Sequence, residues 1–442
     1  MTSSSDTGVG PVLTPERAGA PGPARAVRPR AGGQVERSIG GGHGGRRYLY
    51  FIAMASVGAT LAVQTVAPAL PALQESLGLS DSQIGWFTTA YVLPGVVFTL
   101  PLGFLADAIG RRSMFCTTLF VYGVAGVMQG LSTSFPILLA LRGVQGACFG
   151  ALMPLTITLI GDAFSPEDRS GAIAGRQAIL TASEVVLPIA GALLAALSWK
   201  APFLVQGVNI PLAGLGLWLL GGRGQSSATE PKKYTRALIQ VLRDQRGMIA
   251  VLLTGFARFL FKLSVLAYLP LILVNQRSAT LVQVGIVISG AHLVAAVVAA
   301  QVPRLMERIA PSKLVMMGIV SIGLAMVGFA IAPGWQVALA VGVLYGLGDG
   351  VLSVLQDSYA IQTARQHVRA GMISVSQTAR NLGKLLSPLV MTAVVAVTSV
   401  ATAFVVMALA AALIIPFFLP LRSLDDEMRL GSGLEGGELV GA

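Results

Sequence analysis

Residues 81–112, DSQIGWFTTAYVLPGVVFTLPLGFLADAIGRR, return as a faint image 200 positions later in residues 281–312, LVQVGIVISGAHLVAAVVAAQVPRLMERIAPS. Gln83 falls on Gln283 and Gly85 on Gly285. At the same offset, without a gap, Gly146 falls on Gly346, Gly150 on Gly350, Arg169 on Arg369, Gly171 on Gly371, Gln177 on Gln377 and Pro188 on Pro388. Apolar coincidences such as Leu105 with Leu305 carry little weight, because a chain rich in Ala, Gly, Leu and Val produces them by chance. The polar and glycine matches carry the repeat. A strongly apolar chain whose halves repeat has the signature of a transporter built from duplicated helix bundles, with its substrate held between them.

With 54% hydrophobic and 12% charged residues over 442 positions, water cannot be the solvent for most of this surface. Apolar stretches of about 20 residues, enough for a helix to cross a bilayer, fall at twelve places between residues 48 and 421. The expected fold is all-α and integral to a membrane: two pseudo-symmetric six-helix bundles at 46–221 and 248–421. A tail at 1–45, a polar linker at 222–247 and a second tail at 422–442 complete the chain. The first tail is rich in Gly, Pro, Ser and Arg and reads as disordered. Within the linker, Tyr234, Leu238, Ile239 and Leu242 recur at helical spacing, which suits either an amphipathic helix on the membrane face or a solvated tether.

A net charge of +11 raises the question of nucleic acid, but its placement answers otherwise. Arg46, Arg47, Arg111, Arg112, Arg169, Lys232, Lys233, Arg236, Arg243, Arg246, Arg304, Arg308, Lys313, Arg365, Arg369 and Arg422 all fall in alternate loops, while the opposite loops hold only Lys200 and Arg277. That asymmetry predicts cytoplasmic termini and a cytoplasmic linker in a multi-pass protein of a cell membrane, such as a bacterial plasma membrane. No nucleic-acid partner is expected. Cys116 and Cys148 lie inside predicted spans and read as small buried residues rather than a disulfide.

Between spans two and three runs Gly103-Phe-Leu-Ala-Asp107-Ala-Ile-Gly110-Arg111-Arg112. This segment resembles the signature loop of the major facilitator superfamily, a likeness that extends over about 46–421. The resemblance implies that Asp107, supported by Gly103, Gly110, Arg111 and Arg112, serves as a cytoplasmic gate; anchoring at the headgroups is the plainer alternative. The second-half copy keeps an acid, Glu307, but neither glycine. In span four, Arg142-Gly-Val-Gln145-Gly146 is similar to a second motif of the family, which implies that Arg142 takes part in proton coupling by tuning a nearby acid. The plainer alternative is an arginine that snorkels to the outer interface. Span five reads Leu187-Pro188-Ile-Ala-Gly191, with Leu187 where drug–proton antiporters of the family carry glycine.

Ionisable residues deep in apolar spans are functional candidates, because charge at the centre of a bilayer costs at least about 2.5–3.5 kcal/mol. They are Arg176, Glu184, Arg258, Lys262, His292, Asp349, Arg380 and Lys384. Arg258 with Lys262, and Arg380 with Lys384, are spaced four apart and so share a helix face. Two readings stand for the acids. Glu184 and Asp349 take up protons, or they form structural ion pairs with Lys262, Lys384 or Arg380. Arg258, Lys262, Arg380, Lys384, His292, Gln64 and Tyr91 are the candidate lining of a substrate cavity, with Trp86 and Phe259 further possibilities. His292 serves equally as a proton relay or as a packing histidine.

The expected function is proton-coupled efflux of small amphipathic molecules such as drugs or natural products, by a monomer needing no cofactor or metal. The alternatives are uptake or exchange of an organic anion and, remotely, a membrane-embedded enzyme such as an acyltransferase. The last lacks a constellation: His43, His292 and His367 stand beside no evident nucleophile or acid. No Gly-x-x-x-x-Gly-Lys loop for ATP occurs either.

Overall fold

The computed structural model of the protein describes residues 43–220, 246–362 and 369–425, and the amphipathic segment of the linker, most of both tails and Arg365 lie outside them. Among the described residues, twelve helices are long and apolar enough to cross a membrane. They are α1 (Gly45–Leu77), α2 (Asp81–Ile109), α3 (Arg111–Leu131), α4 (Phe135–Ala163), α5 (Glu167–Leu197), α6 (Ala201–Leu219), α7 (Ile249–Gln276), α8 (Leu281–Arg308), α9 (Pro311–Ile331), α10 (Trp335–Tyr359), α11 (Val375–Val397) and α12 (Val400–Arg422). The described residues form no strand. Large apolar side chains remain exposed on the outside of the bundle, Leu197, Trp218, Val397 and Leu413 among them, as a surface solvated by lipid requires.

The repeat has a local physical cause at the start of α2 and α8. Ser80 caps α2 by accepting a hydrogen bond from the Gln83 backbone N–H, while the Ser80 N–H donates to Gln83 Oε1 at 2.8 Å. Thr280 and Gln283 build the same reciprocal cap on α8, with the Thr280 N–H donating to Gln283 Oε1 at 2.9 Å. The glutamine that survives in both halves is therefore the third residue of a capping box, satisfying donors that a helix end leaves orphaned.

Both leading helices are interrupted near that end. In α1 the α-helix stops at Gln64, and a 3₁₀ turn at Ala67–Ala69 leads into a short helix from Leu70. Pro68 and Pro71 sit at the starts of these pieces, where a missing N–H leaves no bond unmade. In α7 the counterpart is a widened π-type turn at Ile272–Gln276, just after Pro270.

Helix α2 packs closely on α4 and α8 on α10, in matched register. A Cβ at Gly146 would collide with the Tyr91 carbonyl, and one at Gly346 would press on the Ala291 carbonyl. The shared glycines thus let equivalent helices touch backbone to backbone. One hydrophobic core lies in the first half, its buried members running from Tyr48 to Leu220. The other fills the second half and continues into the first through Val66, Leu70, Leu73, Ile84 and Phe87. The halves therefore merge at the end of the molecule opposite the arginine-bearing loops. There the Asn275 side chain donates to Gln74 Oε1 at 2.7 Å.

Candidate functional site

Arg258 and Lys262 lie one turn apart on α7, and each is matched by an acid from a different neighbour. Arg258 donates through Nε to Asp349 Oδ1 at 2.8 Å and through Nη2 to Oδ2 at 3.2 Å, a two-pronged pair with α10 inside the second half. Lys262 donates to both carboxylate oxygens of Glu184, at 3.0 and 2.9 Å, and this pair joins α7 to α5 across the two halves. The two pairs differ in access: the Asp349 side chain is 2% exposed and that of Glu184 33%. Asp349 is sealed, whereas a third of the Glu184 side chain is left uncovered by the protein.

His292 on α8 completes the junction. Its Nδ1 lies 2.9 Å from the backbone carbonyl of Glu184. Because a carbonyl only accepts, Nδ1 carries the proton in this contact. The histidine thereby braces the turn of α5 that presents the acid. On that side of α5, Gln177, Thr181 and Val185 line, with Leu293 and Ala296 of α8, an open and largely apolar cavity of about 670 Å³.

The second cation pair separates. Arg380 is neutralised by Asp357 of α10, with a further hydrogen bond to Ser376 Oγ at 3.3 Å. Lys384, one turn along, is half-buried, 3.4 Å from Asn381 Oδ1, and its ammonium lies 4.6 Å from the centre of the Phe259 ring. Arg258 approaches the same ring at 5.4 Å. Of the ion-pair partners expected for the acids, Lys262 pairs with Glu184, but Asp349 takes Arg258 rather than Lys384 or Arg380. Asp357 carries a signal in the sequence as well, an acid two turns beyond Asp349 on the same helix.

Arg142 stands apart from this junction. It is 5% exposed, which excludes a guanidinium reaching for the interface. Its Nη1 donates to Gln145 Oε1 at 3.0 Å and its Nη2 to the Ala62 carbonyl at 2.9 Å. The rings of Phe87, Tyr91 and Phe203 enclose the cation at 4.5, 5.0 and 5.8 Å. None of these partners is a carboxylate, so the acid that Arg142 was expected to tune is not beside it. Gln145 links onward to Gln129 and Gln206, both with no exposed surface. Sequence reasoning passed over those two amides, although a polar side chain within an apolar span was their signal. Tyr91 joins the arginine's enclosure, and Gln64, two residues from Ala62, is buried nearby in sequence but is not brought to the α5–α7 junction by any described bond. Arg176 is likewise buried and donates to Ser56 Oγ at 2.9 Å.

At the opposite end of α2, Arg111 bridges two acids. Its Nε donates to Asp107 at 3.0 Å and its Nη1 to Asp162 of α4 at 2.8 and 3.0 Å. Gly110 joins α2 to α3 at φ +99°, a conformation that L side chains rarely adopt, which explains the glycine there. Gly103 and Arg112 take no part in the bridge. All of its members belong to the first half.

Known proteins agree with this architecture. The family model described as Major Facilitator Superfamily matches residues 52–388. The chain is 32% identical over 148 residues to the multidrug transporter protein MdtP of Bacillus subtilis, covering 33% of this chain and 27% of that protein. It is 27% identical over 185 residues to the quinolone resistance protein NorA of Staphylococcus aureus, covering 42% and 46%. The chain thus spans about a quarter to a half of the length of these relatives. Among solved structures it resembles a bacterial homologue of the human lysosomal transporter Spinster, with TM-score 0.68 and 15% identity over 89% of this chain and 98% of that one.

Proposed function

The chain belongs to the major facilitator superfamily, and from that premise we propose that this multi-pass membrane transporter exports small amphipathic molecules in exchange for protons by rocking its two six-helix halves. A family of transporters sets aside the enzyme alternative. The observation that carries the proposal is the pair of Lys262 with Glu184, an ion pair between two candidate membrane spans that joins the two halves and leaves a third of the Glu184 side chain uncovered by the protein. Protonation of Glu184 removes the charge that holds Lys262, so proton uptake weakens a contact between the halves. Substrate leaving and proton entering then act on the same junction. Asp349, sealed against Arg258, serves to hold α7 on α10 rather than to exchange protons with water.

The arginine-rich loops orient that face to the cytoplasm, in keeping with the positive-inside rule. The halves meet at the other end, so the proposed state is inward-facing. In it Asp107 is held within its own half by Arg111, ready to engage the second half when the inner side closes. Export is supported by the likeness to MdtP and NorA, whose names describe multidrug transport and quinolone resistance.

In proteoliposomes with an imposed pH gradient, Glu184→Gln is expected to abolish proton-driven transport while substrate counterflow, which needs no net proton movement, persists. Normal coupling in that variant removes Glu184 from the mechanism. Substrate moving in the same direction as the proton replaces export with uptake.

A further inference from the structure

The junction carries more positive than negative charge. Three cations, Arg258, Lys262 and Lys384, converge on α7 and α11, and the two carboxylates that reach them, Glu184 and Asp349, are both committed to the first two. Arg380 adds nothing to the balance because Asp357 answers it. The Lys384 ammonium is left with an amide oxygen at 3.4 Å and the face of Phe259 at 4.6 Å. An ammonium has three donors, and among the described residues one long bond, to Asn381, is the hydrogen bond it makes. A ring quadrupole attracts a cation, but it neither accepts those donors nor cancels the charge. In an apolar span such an excess is costly unless an anion supplies the balance.

The surroundings specify what kind of anion. Lys384 is half-buried, and Phe259 beside it is also partly exposed. A cation next to a partly exposed aromatic ring matches a ligand with a charged head and an apolar body.

We propose that Lys384 and Phe259 form a binding subsite for amphipathic carboxylates, the ammonium donating to the carboxylate and the ring packing against the apolar body. This rests on the transport reading above for its biological use, but not for its chemistry. The carboxylate completes the charge balance of the junction, three cations against three anions. Substrate binding is then the event that neutralises the second half, as proton uptake is the event that alters the pair between the halves.

The test uses the full chain in nanodiscs of phosphatidylcholine alone, so that no lipid headgroup supplies the anion. Tritiated para-hexylbenzoate is the probe, with unlabelled para-hexylbenzamide and para-hexylbenzylammonium as competitors of the same body but different charge. The unmodified protein is expected to bind the benzoate, with the amide and the ammonium competing about tenfold more weakly or worse. Lys384→Gln should weaken benzoate binding by about tenfold and erase the preference over the amide, while Lys384→Arg keeps it. Phe259→Leu should weaken benzoate and amide alike. Addition of phosphatidylglycerol that displaces the benzoate would assign the subsite to a lipid headgroup and overturn the proposal. So would absence of benzoate binding, preference for the ammonium, or unchanged affinity in Lys384→Gln. The comparison of the three probes on unmodified protein stands even where a variant does not fold. Lys384-dependent binding without counterflow of the bound probe in proteoliposomes would refute the transport reading and leave the subsite intact.

Discussion

Asp349 receives both prongs of Arg258 in a nearly sealed environment, and the consequence of disturbing such a pair depends on whether one partner or both are removed. Asp349→Asn leaves a buried guanidinium without its counter-charge, a loss of about 3–5 kcal/mol. Replacing both, Arg258→Met with Asp349→Leu, removes the charge along with its partner and should restore most of the stability. Thermal unfolding of the purified protein, run as a double-mutant cycle, reads the difference; equal losses in the single and double variants would show that the pair does not act as a unit. The charged residues themselves were legible in the sequence because ionisable groups are rare and expensive in apolar spans. Their pairing was not. Which acid meets which cation depends on α10 and α5 flanking α7, a contact that helical spacing along one chain does not encode. The shared face of Arg258 and Lys262 was read correctly, yet the two side chains on it turn to different helices.

At the scale of the element, Gln83 and Gln283 show how a repeat can be visible before its reason is. Their match in sequence marked a duplication, and the capping boxes show which bonds it keeps. Twelve spans were evident from length and hydropathy, but the internal breaks of α1 and α7 were only hinted at by Pro68, Pro71 and Pro270, since proline marks a turn without giving its shape. The glycines divide by what they touch. An alanine Cβ at Gly146 would strike the backbone of α2, which cannot rotate away, whereas one at Gly103 meets nothing within 4 Å. Gly146→Ala should therefore lower the unfolding temperature, while Gly103→Ala should be neutral or stabilise by about 0.5–1 kcal/mol through helix propensity. Matching thermal shifts for the two would contradict the close contact of α2 with α4.

On the scale of the whole molecule, the most consequential repeated positions are Gly85 and Gly285. A side chain at Gly85 would collide with Thr392 and Tyr268 of the other half, and one at Gly285 would lie 2.7 Å from Ala192 Cβ and 3.1 Å from the Pro188 carbonyl. The equivalent glycine of each half thus admits the other half at the same end of the molecule. Valine at both positions should hold that end apart and shift the population towards the outward-open state, slowing transport at least about tenfold if closure is required in each cycle. Accessibility of the outer cavity to a membrane-impermeant thiol reagent, at a cysteine introduced there, checks it; unchanged labelling would mean that the closure does not depend on glycine. Sequence comparison of the halves brought these residues to notice, but their function as facing surfaces is a property of the assembled bundle.

The two native cysteines bear on how such motion is followed. Cys116 and Cys148 are free thiols, 2% and 7% exposed, packed within the first half. A transporter usually has to be stripped of its own sulfur before reporters are attached, with the risk that the stripping alters it. Here the background is shielded by the fold, so spin labels or fluorophores placed on either side of the Gln74 and Asn275 contact would report on an otherwise unaltered chain, and the distance between them would measure the opening of that end directly.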